Sequence, residues 1–274
     1  MNKITASEVN NLRKQTGAGM MDCKKALVES SGDFEKAIDI LRKKGQKIAA
    51  KRADRSASEG VVISTVNSSK NFGIIVSLNC ETDFVAKNED FIKLANSIMD
   101  IAIKNETSTK EELCSLQFTN GKSIEDNILE QTGIIGEKLE LKLKSINAEY
   151  VSCYVHAGSR LASMVGFDKQ VNENIAKDVA MQIAAMNPIA IDKDSVSEET
   201  INKEIEIGKD LAKQEGKPEN MLDKIAIGRL NKFFKENTLL SQTFIKDSKM
   251  SVSNYIASNT DNAKVLLFER VGLS

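Results

Sequence analysis

The sequence predicts an α+β protein, and three observations support that fold class. Long stretches place apolar residues at helical spacing, and only two prolines, Pro188 and Pro218, occur in the 274-residue chain. A pattern of two strands followed by a helix occurs twice, first from residue 61 and again from residue 150. After Ser197, two long helical patterns are separated by Gly216 and Pro218, which predicts an antiparallel helical hairpin.

Composition limits the function. The chain has 38 Lys and Arg against 39 Asp and Glu, so a net charge of −1 gives no overall field that attracts nucleic acid or an anionic membrane. No apolar run approaches the ~20 residues that cross a bilayer, and no signal-peptide pattern opens the chain, so we expect a cytoplasmic protein. With a single histidine, His156, and no acid-base or metal constellation, we expect neither an enzyme nor a cofactor or metal.

Four cysteines are spread along the chain. They form no C-x-x-C pair, which argues against a zinc site or a dithiol redox motif. We therefore expect buried, reduced thiols at each position. The residues concerned are Cys23, Cys80, Cys114 and Cys153.

The first 45 residues predict three short helices that form a small module. Thr5 with Glu8 makes a capping box at the start of the first helix, and Gly45 is expected to end the third. The second helix begins with Met20 and Met21, which cannot both lie on one narrow buried stripe. Either one methionine is in the core and the other is an incidental surface residue, or the pair belongs to a partner surface.

A basic run extends from Arg42 to Arg55, with Asp54 as its only acidic residue. Clustered Lys and Arg can bind phosphates, so a nucleic-acid patch is one interpretation. No aromatic residue is interleaved to stack on bases, which removes the usual signal of single-strand binding. A solvated linker helix is the interpretation we favour.

The two strand-strand-helix units differ at one place. Their elements are predicted at 61–66, 72–78 and 88–103 in the first copy, and at 150–156, 161–167 and 172–186 in the second. The strand-to-helix loop is longer in the first copy, and the extra residues include Thr82, Asp83, Phe84 and Val85. An apolar ring in such a polar loop is either a probe that enters a partner or a side chain that folds back into its own core.

The remaining short segments are assigned by their local pattern. Residues 138–144 alternate strictly and predict a strand with one wet face. Residues 242–245, a helix near 252–256 and a strand at 265–271 are expected to complete the second sheet.

Four motifs carry a resemblance to a known family. They are Thr16–Leu27, with its Met-Met-Asp-Cys-Lys-Lys-Ala-Leu, Thr82–Ala86 after a strand, His156–Arg160, and Gln242–Phe244. Together they resemble the elongation factor Ts family, and the resemblance covers essentially the whole chain in the same order. The first two motifs are specific to that family.

The resemblance implies a fold with several parts. These are a ubiquitin-associated-like three-helix module, two tandem related α+β subdomains and an antiparallel helical hairpin inserted in the second. In this sequence the division is 1–45 for the module, 46–60 for a basic linker, 61–146 for the first core subdomain, 147–192 and 235–274 for the second, and 193–234 for the hairpin.

The resemblance also implies a function, guanine-nucleotide exchange on elongation factor Tu in its GDP-bound or nucleotide-free form. The implied contacts to the partner's G domain are Arg13, Met20 and Met21. Those beside its nucleotide and magnesium site are Asp83 and Phe84, and Thr82 and Val85 of the same loop are further partner contacts. Those to its other domains are Ile135, Gly136, His156 and Ile245.

The resemblance also limits what the chain is expected to bind. The chain itself is not expected to bind GDP or GTP, a membrane or nucleic acid, whereas a homodimer or a 2:2 complex through the core or the hairpin stays open. Thr243 stands where the family usually has Pro, so the geometry around Ile245 is expected to differ. The chain also stops soon after Val271, without the C-terminal helical extension of some members, and contacts made by that extension are expected to be missing.

Overall fold

The computed structural model describes residues 4–118 and 121–273 and has the predicted mixed α+β composition. Predictions that reach residues 1–3, 119–120 and 274 lie outside the described residues. The helices are α1 Ala6–Thr16, α2 Met20–Glu29, α3 Phe34–Lys51, α4 Asp83–Ala86, α5 Glu89–Lys104, α6 Lys110–Ser115, α7 Ile124–Ile135, α8 Glu173–Met186, α9 Glu198–Gln214, α10 Leu222–Asn237 and α11 Val252–Asn259. The strands are β1 Glu59–Val66, β2 Phe72–Cys80, β3 Glu140–Asn147, β4 Tyr150–Val155, β5 Leu161–Phe167, β6 Thr243–Phe244, β7 Asp247–Ser251 and β8 Val265–Gly272.

The strands form three sheets, with orders β1-β2-β3, β4-β5-β8 and β6-β7. Strand β2 is buried along its whole length, as its nearly continuous apolar run predicts. The prediction that residues 242–245 complete the second sheet is wrong. They contain β6, which pairs with β7 in a separate ribbon, while the predicted strand at 265–271 lies within β8 and does join β5.

By contacts, the chain divides into two compact units. The first contains Met1–Ile63, Val76–Lys144 and Gly272–Ser274. The second contains Ser64–Ile75 and Ser145–Val271.

The first unit begins with three helices around a small core of their own. The predicted capping box is confirmed, because Thr5 accepts from the Glu8 backbone N–H and the Glu8 carboxylate accepts from the Thr5 N–H at 2.7 Å. Gly17, with φ of 68°, ends α1 in the left-handed conformation that glycine adopts without strain. The buried apolar residues of this core are Val9, Leu12, Ala18, Cys23, Ala26, Leu27 and Ala37.

The prediction that Gly45 ends the third helix is wrong. Helix α3 continues through Gly45 to Lys51, and Gly45 is buried where α3 packs against α7. A Cβ built on Gly133 of α7 would lie 2.6 Å from the Gly45 Cα, so the two backbones touch. The glycine therefore serves close helix packing and not helix termination, a role that the local sequence does not distinguish.

The second unit is built on an antiparallel strand pair and α8. Tyr150 pairs with Phe167 and Val155 with Ala162, and α8 packs on both strands. Helices α9 and α10 pack along each other, with Gly208 close to Ala226 at the crossing. Ser197 caps α9 as predicted, by accepting a hydrogen bond from the Thr200 backbone N–H.

Candidate partner-binding site

Phe84 stands on a short helical turn, α4, and does not fold back into the core. Its side chain is 84% exposed, so the interpretation of a core-facing ring is wrong. Thr82 caps the turn, with its hydroxyl 3.5 Å from the Val85 backbone nitrogen. Exposure of such an apolar ring to water is unfavourable in free energy, and the turn that carries it is fixed by a cap. The two features together are typical of a residue that contacts a partner.

Asp83, beside the exposed ring, is paired with a lysine of the same turn. The Lys87 ammonium lies 2.6 Å from the Asp83 carboxylate. Its hydrogen bond, followed by its charge, holds the pKa of Asp83 below the ordinary value. The carboxylate is therefore ionised at neutral pH, and its charge is locally compensated.

Two glutamates connect this turn to the segment after α7. The Glu137 carboxylate accepts from the Glu81 N–H at 3.1 Å, the Thr82 N–H at 3.0 Å and the Thr82 hydroxyl at 2.7 Å. In the opposite direction, the Glu81 carboxylate accepts from the Lys138 N–H at 2.7 Å and from the Arg52 guanidinium at 2.8 Å. No local sequence pattern indicates these contacts of the two glutamates and Arg52, because the partners are more than 25 residues apart in the chain.

The Glu81 carboxylate is well shielded from solvent. Its side chain is 15% exposed, and the Lys138 N–H, followed by Arg52, lowers the pKa of its carboxyl. An ionised acceptor makes shorter and stronger hydrogen bonds than a neutral one. The segment 81–82 and the segment 137–138 are thus joined by charge-assisted bonds in both directions.

Ile135 and Gly136 lie immediately before this connection, at the end of α7. Gly136, with φ of 78°, ends the helix in the left-handed conformation, and its N–H donates to the Thr132 carbonyl. Both residues are half-buried. Because Glu137 follows directly, the structure brings Ile135 and Gly136 to the same anchored region as the Phe84 turn.

Arg13, Met20 and Met21 are all exposed on the N-terminal helices of the first unit. The two methionines are 56% and 63% exposed, so of the two alternatives the one with a single core methionine is wrong. Cys23 takes the core position of α2 instead. Val28, which belongs to none of the sequence motifs, is 60% exposed, and its spacing of seven residues from Met21 places the two on one face.

His156 lies in the second unit, directly after β4. Its side chain is exposed, and its Nδ1 is 3.0 Å from the Tyr154 hydroxyl. The backbone N–H donates to the Leu161 carbonyl, which closes the turn to β5. The ring is therefore presented on the surface by a hairpin turn.

Two buried glutamines fix the backbone around Ile245, which is also in the second unit. Gln182 accepts from the Ile245 N–H at 2.8 Å and donates to Gln242 at 3.1 Å and to the Thr243 carbonyl at 3.2 Å. The adjacent Phe244 is buried, whereas Ile245 is 42% exposed. Satisfied buried amides fix a local conformation, so the exposed isoleucine has a defined position.

The basic run is partly tied to the body of the first unit. Part of it is helical, as the end of α3. Three of its cations pair with carboxylates: Arg42 with Asp126, Lys44 with Asp22, and Arg52 with Glu81. These pairs reduce the charge that the run presents to solvent.

The four cysteines are free, but the expectation that all are buried is wrong, because Cys114 and Cys153 are half-buried. Within residues 4–118 and 121–273, no cluster of three or more His, Cys, Asp and Glu is arranged to hold a metal ion. Among the helices in the same ranges, none combines the length and apolar character needed to cross a membrane.

Cys80, at the end of β2, is expected to resist thiol reagents in the folded protein. Burial, followed by the negative charge of Glu137, raises its pKa to about 12, and its thiol donates to the Thr82 carbonyl at 3.2 Å. Because the thiolate is the reactive species, we expect labelling at pH 8 to be at least about tenfold slower at Cys80 than at half-buried Cys114. Peptide mapping by mass spectrometry measures both rates. Equal rates in the folded protein would contradict the expectation, and equal rates in urea are the control.

The fold and these surfaces define a class: an α+β protein with exposed apolar side chains on capped or hydrogen-bonded turns, an arrangement typical of protein-binding proteins. The family model for elongation factor TS matches residues 81–274. Elongation factor Ts of Christiangramia forsetii is 56% identical, that of Flavobacterium psychrophilum 50% and that of Cytophaga hutchinsonii 48%. Each of these comparisons covers 100% of both chains.

The chain therefore belongs to the elongation factor Ts family.

Proposed function

We propose that this protein is the guanine-nucleotide exchange factor of elongation factor Tu and acts in the cytoplasm during translation elongation. Family membership supports the partner, and the exposed Phe84 on its capped turn is the observation that carries the mechanism. The factor makes and breaks no covalent bond, so it is not an enzyme in the chemical sense. It acts by binding the nucleotide-free partner more tightly than the nucleotide-bound partner.

In this mechanism, the turn from Thr82 to Val85 enters beside the nucleotide and magnesium site of the partner. Phe84 acts as the apolar wedge, and Asp83 brings a carboxylate close to the metal and phosphates. The Asp83 carboxylate is ionised and paired with Lys87 in the free protein, so it arrives already compensated in charge. Displacement of the groups that surround the magnesium ion of the partner would then weaken the binding of GDP to the partner.

Phe84 alone is too weak for this task. Weakening GDP binding by ~10⁴-fold requires roughly 5.5 kcal/mol of differential binding, while burial of one such ring provides about 2–3 kcal/mol. The remaining free energy is assigned to Arg13, Met20 and Met21 on the G domain. Contacts of Ile135, Gly136, His156 and Ile245 with the other domains add to it. By linkage, GDP must weaken the binding of this protein to elongation factor Tu by the same ratio by which this protein weakens the binding of GDP.

We also infer the division of the chain into a ubiquitin-associated-like module at 1–45, a linker at 46–60 and two related core subdomains with an inserted hairpin. The separate core of α1 to α3 supports the module. The order strand, strand, helix, in β1, β2 and α5 and again in β4, β5 and α8, supports the relation between the subdomains. The packing of α9 on α10 supports the hairpin at 193–234.

The test of the function is the release of labelled GDP from elongation factor Tu on addition of the protein. Release should accelerate with the concentration of the factor and then saturate. A large excess of unlabelled GDP should reduce the amount of complex between the two proteins, as linkage requires. Release that stays at the spontaneous rate at every concentration would reject the proposal.

Replacing Met21 with serine is expected to weaken the binding of nucleotide-free elongation factor Tu by about tenfold, because part of an apolar contact is lost. Met21 is 63% exposed in the free protein, so the fold should not change. Titration calorimetry measures the affinity. Ile227→Ser on α10, at 54% exposure, is the matched control and should bind like the wild type. Equal losses in the two variants would argue against a specific contact at Met21.

A further inference from the structure

The carboxylates of Glu81 and Glu137 are used in a reciprocal way. Each accepts hydrogen bonds from the backbone of the segment that carries the other: Glu137 from the Glu81 and Thr82 N–H groups, and Glu81 from the Lys138 N–H. Neither segment can therefore shift without breaking bonds made by both side chains. We call this arrangement, made of Glu81, Thr82, Glu137 and Lys138, the carboxylate clasp.

The clasp also reaches the N-terminal helices. Arg52 is the C-cap residue of α3, and its guanidinium donates to both oxygens of Glu81 at 2.8 and 2.9 Å. The end of α3, the start of α4 and the segment after α7 thus meet at the Glu81 carboxylate, which accepts from both Arg52 and the Lys138 N–H. Because ionised acceptors bind amide and guanidinium donors strongly, this junction is stiffer than ordinary loop contacts.

The clasp lies next to two sets of candidate partner contacts in the chain. Glu81 and Thr82 directly precede Asp83 and Phe84, and Glu137 directly follows Gly136. The carboxylate oxygens of the clasp already accept from backbone N–H groups, the Thr82 hydroxyl and the Arg52 guanidinium, so they have little capacity left to bind a partner. Its effect on a partner must be exerted through the residues that it holds.

We propose that Glu81 and Glu137 are positioning residues that make the Phe84 turn and the end of α7 move as one body, and that Arg52 joins this body to α3. The function of the coupling rests on the proposed exchange activity. When α3 and its neighbours grip the partner, the clasp fixes where Phe84 arrives. Without the clasp, the ring would still be present, but its approach would vary and its effect on GDP release would fall.

Kinetics of GDP release test the functional part. In Glu137→Ala, the maximal release rate at saturating factor should fall about tenfold, whereas the half-saturating concentration should change less than twofold. Glu137→Gln keeps an acceptor for the N–H groups and a polar partner for the Thr82 hydroxyl, and should recover to within about threefold of the wild type. Phe84→Ala should lower the rate only about threefold further in the Glu137→Ala background, against about 30-fold in the wild type. A full maximal rate in folded Glu137→Ala, or undiminished loss from Phe84→Ala in that background, would overturn the proposal.

The matched control is Glu215→Ala in the second unit. The Glu215 carboxylate accepts from the Arg229 guanidinium at 2.7 Å, so Glu215→Ala removes another hydrogen-bonded carboxylate, far along the chain from the clasp. This variant should keep the maximal rate of the wild type. A decrease equal to that of Glu137→Ala would show that loss of any hydrogen-bonded carboxylate is sufficient and would overturn the specific role of the clasp.

Amide hydrogen exchange tests the coupling without elongation factor Tu. The Glu137 side chain does not bond the Lys138 N–H, yet a coupled clasp requires that amide to exchange at least tenfold faster in Glu137→Ala. Unchanged protection of Lys138, beside faster exchange at Thr82, would overturn the coupling. If the wild-type protein fails to accelerate GDP release, the proposed function fails, while this measurement still decides whether the two segments move together.

Discussion

Replacing Phe84 with alanine is expected to slow GDP release from elongation factor Tu by roughly 30-fold at saturating factor, which corresponds to about 2 kcal/mol of lost wedge contact. The ring is 84% exposed, so its loss removes almost no contact from the free protein. The thermal midpoint should therefore stay within about 1 °C of the wild type, as for surface substitutions in general. Stopped-flow release of a fluorescent GDP analogue measures the rate over a range of factor concentrations.

The Phe84 variants separate two roles of the ring. Phe84→Leu keeps an apolar side chain of smaller area and should give an intermediate rate, because the contact scales with the apolar area removed from water. Wild-type release by Phe84→Ala would leave the exchange function standing but would remove the wedge from its mechanism. Loss of binding affinity with an unchanged maximal rate would assign Phe84 to docking only.

Replacing Gly133 with alanine is expected to lower the free energy of unfolding by about 2 kcal/mol, because the new methyl group forces α3 and α7 apart. Its Cβ would lie 2.6 Å from the Gly45 Cα, far inside van der Waals contact with backbone that cannot rotate away. The effect should extend to function, because α7 leads directly to Ile135 and Gly136. Urea unfolding followed by circular dichroism measures the stability.

Two other glycines in helices supply controls for the same substitution. A Cβ on Gly45 would lie 3.5 Å from the Gly133 Cα, an ordinary contact, so Gly45→Ala should differ from wild type by less than about 1 kcal/mol. Nothing lies within 4 Å of the Cβ position at Gly228 in α10, so Gly228→Ala should stabilise by roughly 0.5–1 kcal/mol. Equal destabilisation by Gly133→Ala and Gly45→Ala would contradict this assignment of the crossing.

The elements of the fold were predictable where their signals are local. The caps Thr5, Asn88 and Ser197 each accept hydrogen bonds from backbone N–H groups two or three residues further on, so the start of each helix is written in a short stretch of sequence. The end of α3 was not predictable in this way. Gly45 has the same local appearance as a helix stop, and only its packing against Gly133, distant in the chain, shows its actual role.

In the candidate site, too, local signals were predictable from the sequence and contacts between distant residues were not. The polar loop with its apolar ring made Phe84 a candidate, but the sequence left open whether the ring enters the core, and the exposure of the side chain decides that question. Glu81 and Glu137 could not be predicted, because a glutamate that bonds a backbone N–H 55 residues away has no characteristic pattern. Strand β7 was missed because Met250 is the only apolar residue of Asp247–Ser251, which therefore lacks the apolar alternation of a half-buried strand.

The length of α3 between its two attachments has a mechanical consequence. Gly45 touches Gly133 backbone to backbone, and Arg52, seven residues later, is bound to Glu81. Seven residues of helix span about 10 Å along the axis. A rod attached at one point can pivot, whereas a rod attached at two points 10 Å apart can only bend. We therefore expect helix α3 to transmit a displacement along its axis, and to lose this coupling when either contact is removed.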